Sequence, residues 1–233
     1  IALWLAVRGP GLSLVARDAD KFAALAEELR ATGVRAEVLA ADLSDAADRA
    51  GLLPRVEALG LVPDILVNNA GLSTLGPVHA ADVTGELNMI EVDVVAVAEL
   101  CTRFQPGMVA RGRGAVLSVA ATAAFQPLPG QAGYGAGKAF VLSYTRSLAG
   151  ELAGTGVTAT ALCPGPVDTG FGQAAGFSKE DAESALPSFM WESTENVARC
   201  GVDALAKRHP VAIPGAANRV AAGDYSVRLS ESP

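Results

Sequence analysis

Tyr134 and Lys138, in the stretch Tyr-Gly-Ala-Gly-Lys, are the residues of this chain whose types and spacing best suit proton chemistry. On an α-helix, positions i and i+4 lie on one face, about one turn apart. An ammonium beside a phenol favours the phenolate, so we expect Lys138 to lower the pKa of Tyr134 from about 10. Such a phenol can donate or accept a proton near neutral pH. The same spacing also occurs by chance in helices, so the neighbouring sequence has to decide.

The elements that would position this pair alternate between strand and helix along almost the whole chain. Apolar runs predict strands at 12–16, 36–40, 64–68, 115–119, 157–162 and 210–213, and helical periodicity predicts helices at 18–32, 45–59, 85–108, 134–153 and 193–207. Pro54 is expected to divide or kink the second of these helices. The alternation predicts right-handed βαβ units, and therefore an α/β fold with a parallel sheet covered on both faces.

Composition narrows the class of protein. The chain has 233 residues, 50% hydrophobic and 18% charged, which suits one compact domain with a large core. A net charge of −7 without a cationic run argues against nucleic acid and anionic membrane surfaces as partners. No apolar run approaches the roughly 18 residues of a membrane-spanning helix. Three widely spaced cysteines fit a reduced, cytoplasmic protein, and the two histidines predict no metal site.

Residues at the ends of the first three strands suit a nucleotide ligand, because ligands of open α/β sheets bind beyond the carboxyl ends of the strands. Arg17 follows the first strand, where an arginine suits a ribose 2′-phosphate; the alternative is a solvent-facing side chain. Asp42 and Leu43 follow the second strand and could meet an adenine edge. The run Asn-Asn-Ala-Gly at 68–71 follows the third, and its small residues would let a cofactor approach the backbone.

A second candidate ligand loop, Cys-Pro-Gly-Pro-Val-Asp-Thr at 163–169, follows the strand predicted after the Tyr134 helix. Its two prolines restrict the backbone, and Thr169 offers a hydroxyl to a ligand amide. A plain Pro-Gly turn is the alternative interpretation.

These stretches, in this order, resemble the short-chain dehydrogenase/reductase family of ordinary length. The resemblance extends from residue 1 to about 214 and is specific because four motifs agree in order and spacing. It implies a Rossmann-type doubly wound parallel sheet with the strand order 3-2-1-4-5-6-7. It also implies a single catalytic domain over 1–214 with a lid-like insertion at about 166–191, followed by a tail at 215–233.

The resemblance implies hydride transfer between NADP(H), preferred over NAD(H), and a carbonyl or secondary alcohol of unknown identity. Tyr134 would be the acid/base, and Lys138 would lower its pKa and bind the nicotinamide ribose. The implied cofactor-binding residues are Arg17, Asp42, Leu43, Asn69, Ala70, Gly71, Tyr134, Lys138, Pro164, Gly165, Val167 and Thr169. Family members form homodimers or homotetramers through two long helices, here 85–108 and 134–153.

The chain departs from the family pattern at its start. The glycine-rich loop and the strand before it are missing, and residues 1–4 resemble the middle of the helix that follows that loop. The missing strand would be central, so its absence would leave unpaired backbone groups between buried strands. We therefore expect an N-terminal segment ahead of residue 1.

Two departures concern the active site. Ala121 occupies the position of the family serine, 13 residues before Tyr134, and losing such a donor typically costs about 10²–10³ in rate. Thr122 could replace it only if the chain has already left the strand there. Asp93 stands where the family has an asparagine whose backbone helps to hold a water near the lysine. We count Asp93 with the catalytic residues, although its carboxylate near Lys138 would weaken the pull on Tyr134.

Three functions therefore stay open: a working oxidoreductase, a catalytically weakened binding or regulatory protein, and a dehydratase, lyase or epimerase on the same fold. The substrate is not defined by the sequence. Aromatic and apolar residues that could line its pocket, or simply pack, are Phe125, Phe171, Phe177, Phe189, Met190 and Trp191.

Overall fold

The computed structural model describes residues 1–7, 9, 11–167, 169, 172 and 187–223. The chain forms two compact units, residues 1–63 and 64–233. The single catalytic domain over 1–214 stays a prediction, and most of the predicted insertion lies outside the described residues. Within the described part, no helix has the length and apolar character needed to cross a membrane.

The first unit alternates helices and strands. Its elements are α1 Ala2–Ala6, β1 Gly11–Ala16, α2 Ala19–Ala31, β2 Arg35–Ala40 and α3 Ala46–Ala58. The two strands pair in parallel, from Gly11 opposite Arg35 to Ala16 opposite Ala40. Leu14 and Leu29 pack in the core of the unit, and Gly33, with a φ of 86°, follows the end of α2 as glycine commonly does.

The helix α3 continues past Pro54, so the predicted division is wrong. Leu52 and Val56, on either side of the proline, are both buried and keep the helix packed.

The second unit contains a four-stranded parallel sheet. Its strands are β3 Ile65–Asn68, β4 Gly114–Val119, β5 Val157–Leu162 and β6 Val211–Ala212, in the order β3-β4-β5-β6. Val116, Leu117, Ala161 and Leu162 are fully buried, as expected for strands covered on both faces. The predicted α/β class with parallel strands is confirmed.

The helices of the second unit follow the predicted order with shifted ends. They are α4 Val83–Ile90, a π-helical turn Glu91–Val95, α5 Ala96–Ala110, α6 Ala132–Glu151, α7 Thr194–Ala206 and α8 Ala216–Ala221, with 3₁₀ turns at Val78–Ala80, Thr122–Phe125 and Ser188–Met190. Asp82 caps α4 by accepting from the backbone N–H groups of Thr84 and Gly85, which explains the early start. The region expected to be a polar tail begins with the helix α8, which is missing from the prediction because six residues carry too little periodicity.

Candidate active site

Tyr134 and Lys138 lie one turn apart on α6, as their spacing predicts. The Lys138 Nζ atom lies 5.5 Å from the centroid of the Tyr134 ring. Lys138 is only 4% exposed, and Nζ donates to the backbone oxygen of Val119, 3.4 Å away at the carboxyl end of β4. A buried ammonium is costly without a counter-charge, so its partner matters for the site.

That partner is Asp93, whose Oδ2 lies 2.9 Å from Lys138 Nζ. The other carboxylate oxygen, Oδ1, accepts the backbone N–H of Leu72 at 2.7 Å. Asp93 lies in the π-helical turn, a wider turn that often occurs at functional sites, and it is 1% exposed. The residue that replaces the expected asparagine therefore contacts the lysine directly through its side chain.

Gly71 leaves the space that this ion pair occupies. A Cβ atom added at Gly71 would lie 2.9 Å from Lys138 Nζ and 3.4 Å from Asp93 Oδ2. A side chain at position 71 would therefore displace the pair. Gly71 was predicted to let a cofactor approach the backbone. The structure adds a second reason for a glycine here, since a side chain would collide with Lys138 and Asp93.

Burial raises the pKa of Tyr134 above its usual value, and the negative charge of Asp93 raises it further. The net shift of this pKa is therefore opposite to the lowering expected from Lys138, whose own contribution stays a prediction. The physical reason is that the phenol is largely removed from water, while the lysine charge is compensated by a carboxylate at 2.9 Å. Burial also raises the pKa of Asp93, against the opposing effects of Lys138 and the Leu72 N–H group.

At the position of the family serine, Ala121 is buried and extended. The strand β4 ends at Val119 and a 3₁₀ turn begins at Thr122, so the chain has left the strand at that point. The backbone N–H of Thr122 donates to the Pro164 oxygen at 2.8 Å, which joins this segment to the second candidate ligand loop. The chain has therefore left the strand at Thr122, which is the condition under which this residue could replace the family serine as a donor.

The loop that begins at Pro164 is half-buried over 164–167, and Thr169 is exposed. The backbone N–H of Glu192 donates to the Pro166 oxygen at 3.0 Å, and Val167 pairs with Glu192 in a parallel bridge. Residues from the far side of the insertion therefore hold this loop. The sequence contained no signal for this contact, because it joins segments 25 residues apart.

In the first unit, Arg17 and Asp42 lie just beyond the carboxyl ends of β1 and β2. The Asp42 Oδ1 atom accepts from the backbone N–H of Ser44 at 2.9 Å and from its hydroxyl at 2.7 Å. These hydrogen bonds, helped by the charge of Arg17, lower the pKa of Asp42, so its carboxylate is ionised and oriented. Leu43 follows with its backbone oxygen accepting from Arg49 at 2.8 Å.

The remaining candidates are less defined. Asn69 and Ala70 are exposed beyond β3, and Phe189 is 72% exposed, which does not suit a pocket wall as it stands. Phe171 and Phe177, offered for the same pocket, lie outside the described residues. No group of His, Cys, Asp and Glu in the described part of the chain could hold a metal ion.

Comparison with known proteins identifies the class. The family model described as short chain dehydrogenase matches residues 1–179, and the chain therefore belongs to the short-chain dehydrogenase/reductase family. A short chain dehydrogenase of Pseudocercospora fijiensis is 39% identical over 167 residues, which are 70% of this chain and 54% of that protein. The chain thus spans about half the length of this curated relative.

Solved structures agree on the fold. A short-chain dehydrogenase from Sphingobium yanoikuyae in complex with NADPH is 31% identical with a TM-score of 0.84, covering 100% of this chain and 90% of its own. A bulky-bulky ketone specific alcohol dehydrogenase from Comamonas testosteroni is 26% identical with a TM-score of 0.79, covering 100% and 88%. The predicted Rossmann-type fold and the predicted enzyme family are confirmed.

Proposed function

We propose that this protein is an NADP(H)-dependent oxidoreductase acting on a carbonyl or secondary alcohol, with Tyr134 as its acid/base. The observation that carries the proposal is the array of half-buried Tyr134 with the buried ion pair of Lys138 and Asp93 at the carboxyl end of β4. That edge is where an α/β sheet binds its ligands. The ketone-specific enzyme among the solved relatives supports a carbonyl substrate, whose identity is left open.

The proton step belongs to Tyr134. Its hydroxyl donates a proton to the carbonyl oxygen during reduction and accepts one from the alcohol during oxidation, while bound NADP(H) supplies or accepts the hydride. The ammonium of Lys138 favours the phenolate that forms in reduction, and the carboxylate of Asp93 opposes it. A raised pKa keeps Tyr134 protonated near neutral pH, so the proton that reduction needs is present, whereas little of the phenolate that oxidation needs is formed.

Asp93→Asn is expected to move the pH dependence of alcohol oxidation to lower pH. The carboxylate raises the pKa of Tyr134, so a neutral amide lowers that pKa and increases the fraction of phenolate at any given pH. An amide oxygen can still accept from the Leu72 N–H group, which keeps the local structure. The measurement is kcat/KM for oxidation against pH. Glu91→Gln, the same charge change in the same π-helical turn, is the control, and equal shifts in both variants would exclude a local effect of Asp93.

The residues that would hold the cofactor fall into two groups. Arg17, Asp42 and Leu43 are proposed for its adenosine end, since Asp42 is an oriented carboxylate and Arg17 an exposed cation. The others are proposed for its nicotinamide end: Asn69, Ala70, Gly71, Tyr134, Lys138, Pro164, Gly165, Val167 and Thr169. The NADPH bound to the related Sphingobium enzyme supports this choice of cofactor.

Arg17→Gln tests the proposed function through the cofactor. A charge-assisted hydrogen bond contributes about 1.5–3 kcal/mol, so we expect NADPH to bind about 10- to 100-fold more weakly while NADH binding is unchanged. The measurement is a fluorescence titration of the full-length protein with each cofactor, followed by NADPH-dependent reduction of a panel of carbonyl compounds.

Arg35→Gln is the matched control for Arg17→Gln. Arg35 lies opposite Gly11, at the amino end of the same two-stranded sheet, where it pairs with Glu37. It carries the same charge and should leave both affinities unchanged. Equal losses for both variants would reduce the effect to net charge, and a wild-type protein that binds neither cofactor would contradict the proposed function.

A catalytically weakened protein that keeps the fold is the second candidate. Two observations favour it: Ala121 supplies no hydroxyl at the position of the family serine, and the pKa of Tyr134 is raised. Such a protein would bind NADPH and turn over carbonyl compounds slowly or not at all.

We further propose that the protein is a cytoplasmic homodimer or homotetramer. The support for an oligomer is an open apolar groove on the outer face of the π-helical turn and α5, lined by Val94, Val95, Ala98, Glu99, Thr102 and Arg103. An apolar groove of this kind favours association with another surface. Size-exclusion chromatography with light scattering measures the state directly.

A further inference from the structure

We infer that Asn218 is a positioning residue, which sets the place of the cofactor-binding loop at 164–167 by packing directly against it. The inference rests on the proposed function, because the loop matters only if it holds the nicotinamide cofactor. Asn218 lies on α8, in the region where the sequence predicted only a tail. No proposed catalytic residue lies on this helix.

Asn218 joins three segments of chain. It is 0% exposed, and its Nδ2 atom donates to the backbone oxygen of Met190 at 3.0 Å and to that of Pro214 at 3.2 Å. Met190 ends the 3₁₀ turn before Glu192, and Pro214 follows β6. The side chain therefore fastens α8 to the segment that pairs with the cofactor-binding loop.

The loop itself packs against the same amide. A Cβ atom added at Gly165 would lie 2.5 Å from Cγ of Asn218 and 2.7 Å from its Nδ2. Real Cβ atoms do not approach other atoms so closely, so the glycine backbone rests directly on the buried side chain. A change in the volume of residue 218 would therefore shift the backbone at Gly165, because protein interiors are close-packed.

A second contact holds the loop in the same place. The backbone N–H of Glu192 donates to the Pro166 oxygen at 3.0 Å, next to the residue that touches Asn218. Gly215 has a φ of 81°, and a Cβ there would lie 2.9 Å from Cδ of Glu192. The loop, the segment around Glu192 and the start of α8 thus meet with no room for another side chain.

The amide of Asn218 is not there for stability alone. Its Oδ1 atom is buried and has no hydrogen-bond partner among the described residues. A buried acceptor without a donor lowers stability, so residue 218 is not optimised for stability alone, although its Nδ2 atom makes two hydrogen bonds that an apolar residue would lose. An asparagine that reaches both Met190 and Gly165 instead holds a ligand-binding loop in one place, which binding sites require of their supporting residues.

The test is a double-mutant cycle in the full-length protein, with the dissociation constant for NADPH and the melting temperature as readouts. Gly165→Ala alone is expected to weaken NADPH binding by about tenfold or more, because the new methyl group must displace the loop from Asn218. Asn218→Ala removes the obstructing amide. The double variant is therefore expected to bind NADPH more tightly than Gly165→Ala alone.

The control is Arg219→Gln, which changes the neighbouring residue of α8. Arg219 donates to the Ile213 oxygen at 3.3 Å, and the atoms nearest to a Cβ added at Gly165 belong to Asn218, so a loss of melting temperature should come without a loss of NADPH affinity. If Gly165→Ala fails to fold, the double variant must fold for the inference to hold. Additive losses of NADPH affinity, with a wild type that binds NADPH, overturn this inference alone. A wild type that binds neither cofactor overturns it together with the proposed function.

Discussion

Tyr134→Phe is expected to lower kcat for the proposed NADPH-dependent carbonyl reduction by about 10²–10⁴-fold, the usual contribution of a positioned general acid. The substitution removes one oxygen atom and keeps the ring beside the Lys138 ammonium, so the packing of α6 is preserved. The dissociation constant for NADPH should change far less than kcat, because the lost hydroxyl acts chiefly on the substrate oxygen, although Tyr134 is also proposed to contact the cofactor. Steady-state kinetics and a cofactor titration on the same preparation measure both quantities.

Tyr144→Phe is the matched control for this prediction. Tyr144 lies on the same helix, stacks on Phe140 with ring centroids 5.3 Å apart, and donates a long hydrogen bond of 3.5 Å to the Ala98 oxygen. The variant loses the same phenolic oxygen at a residue outside the proposed site. Its kcat should therefore stay within about threefold of the wild-type value. Full activity in Tyr134→Phe would remove Tyr134 from the mechanism, however well the family pattern matches.

Ala121→Ser is expected to raise kcat by about 10²–10³-fold, the reverse of losing one donor to a developing oxyanion. Ala121 is buried and extended immediately after β4, and Thr122 next to it is fastened by its backbone to Pro164. The added hydroxyl is small, and the neighbouring backbone is already held by hydrogen bonds, so the local structure should be kept. The gain would appear in kcat more than in KM, because the hydrogen bond strengthens as charge develops on the substrate oxygen.

Ala123→Ser, in the 3₁₀ turn two residues further on, is the control for a hydroxyl added outside the proposed site. A rise in activity in Ala121→Ser alone would show that a single missing donor limits the wild type. If Ala121→Ser binds NADPH but reduces no compound in a broad carbonyl panel, the weakened binding or regulatory protein becomes the better description. Product analysis on the same samples would detect elimination or epimerisation instead of reduction.

The residue type at position 93 predicts only part of the electrostatics of the candidate site. The replacement of the expected asparagine was visible in the sequence, and so was the conclusion that a carboxylate near Lys138 would weaken its pull on Tyr134. The distance of 2.9 Å between the two charges, the burial of Lys138 and Asp93 and the partial burial of Tyr134 were not visible. Since burial is the larger cause of the raised pKa of Tyr134, the sign of the shift could be obtained only from the structure.

The order of elements, the parallel strands and the family could be predicted from the sequence because they depend on local periodicity and on short motifs at strand ends. The contact of Asn218 with Gly165, the space that Gly71 leaves for the ion pair, and the pairing of Val167 with Glu192 join residues far apart in the chain. No local pattern encodes such contacts, since they arise only when separate segments pack against one another. The sequence therefore determined which residues are candidates, and the tertiary structure decided which charges meet, how deeply they are buried and which glycines are needed to make room for them.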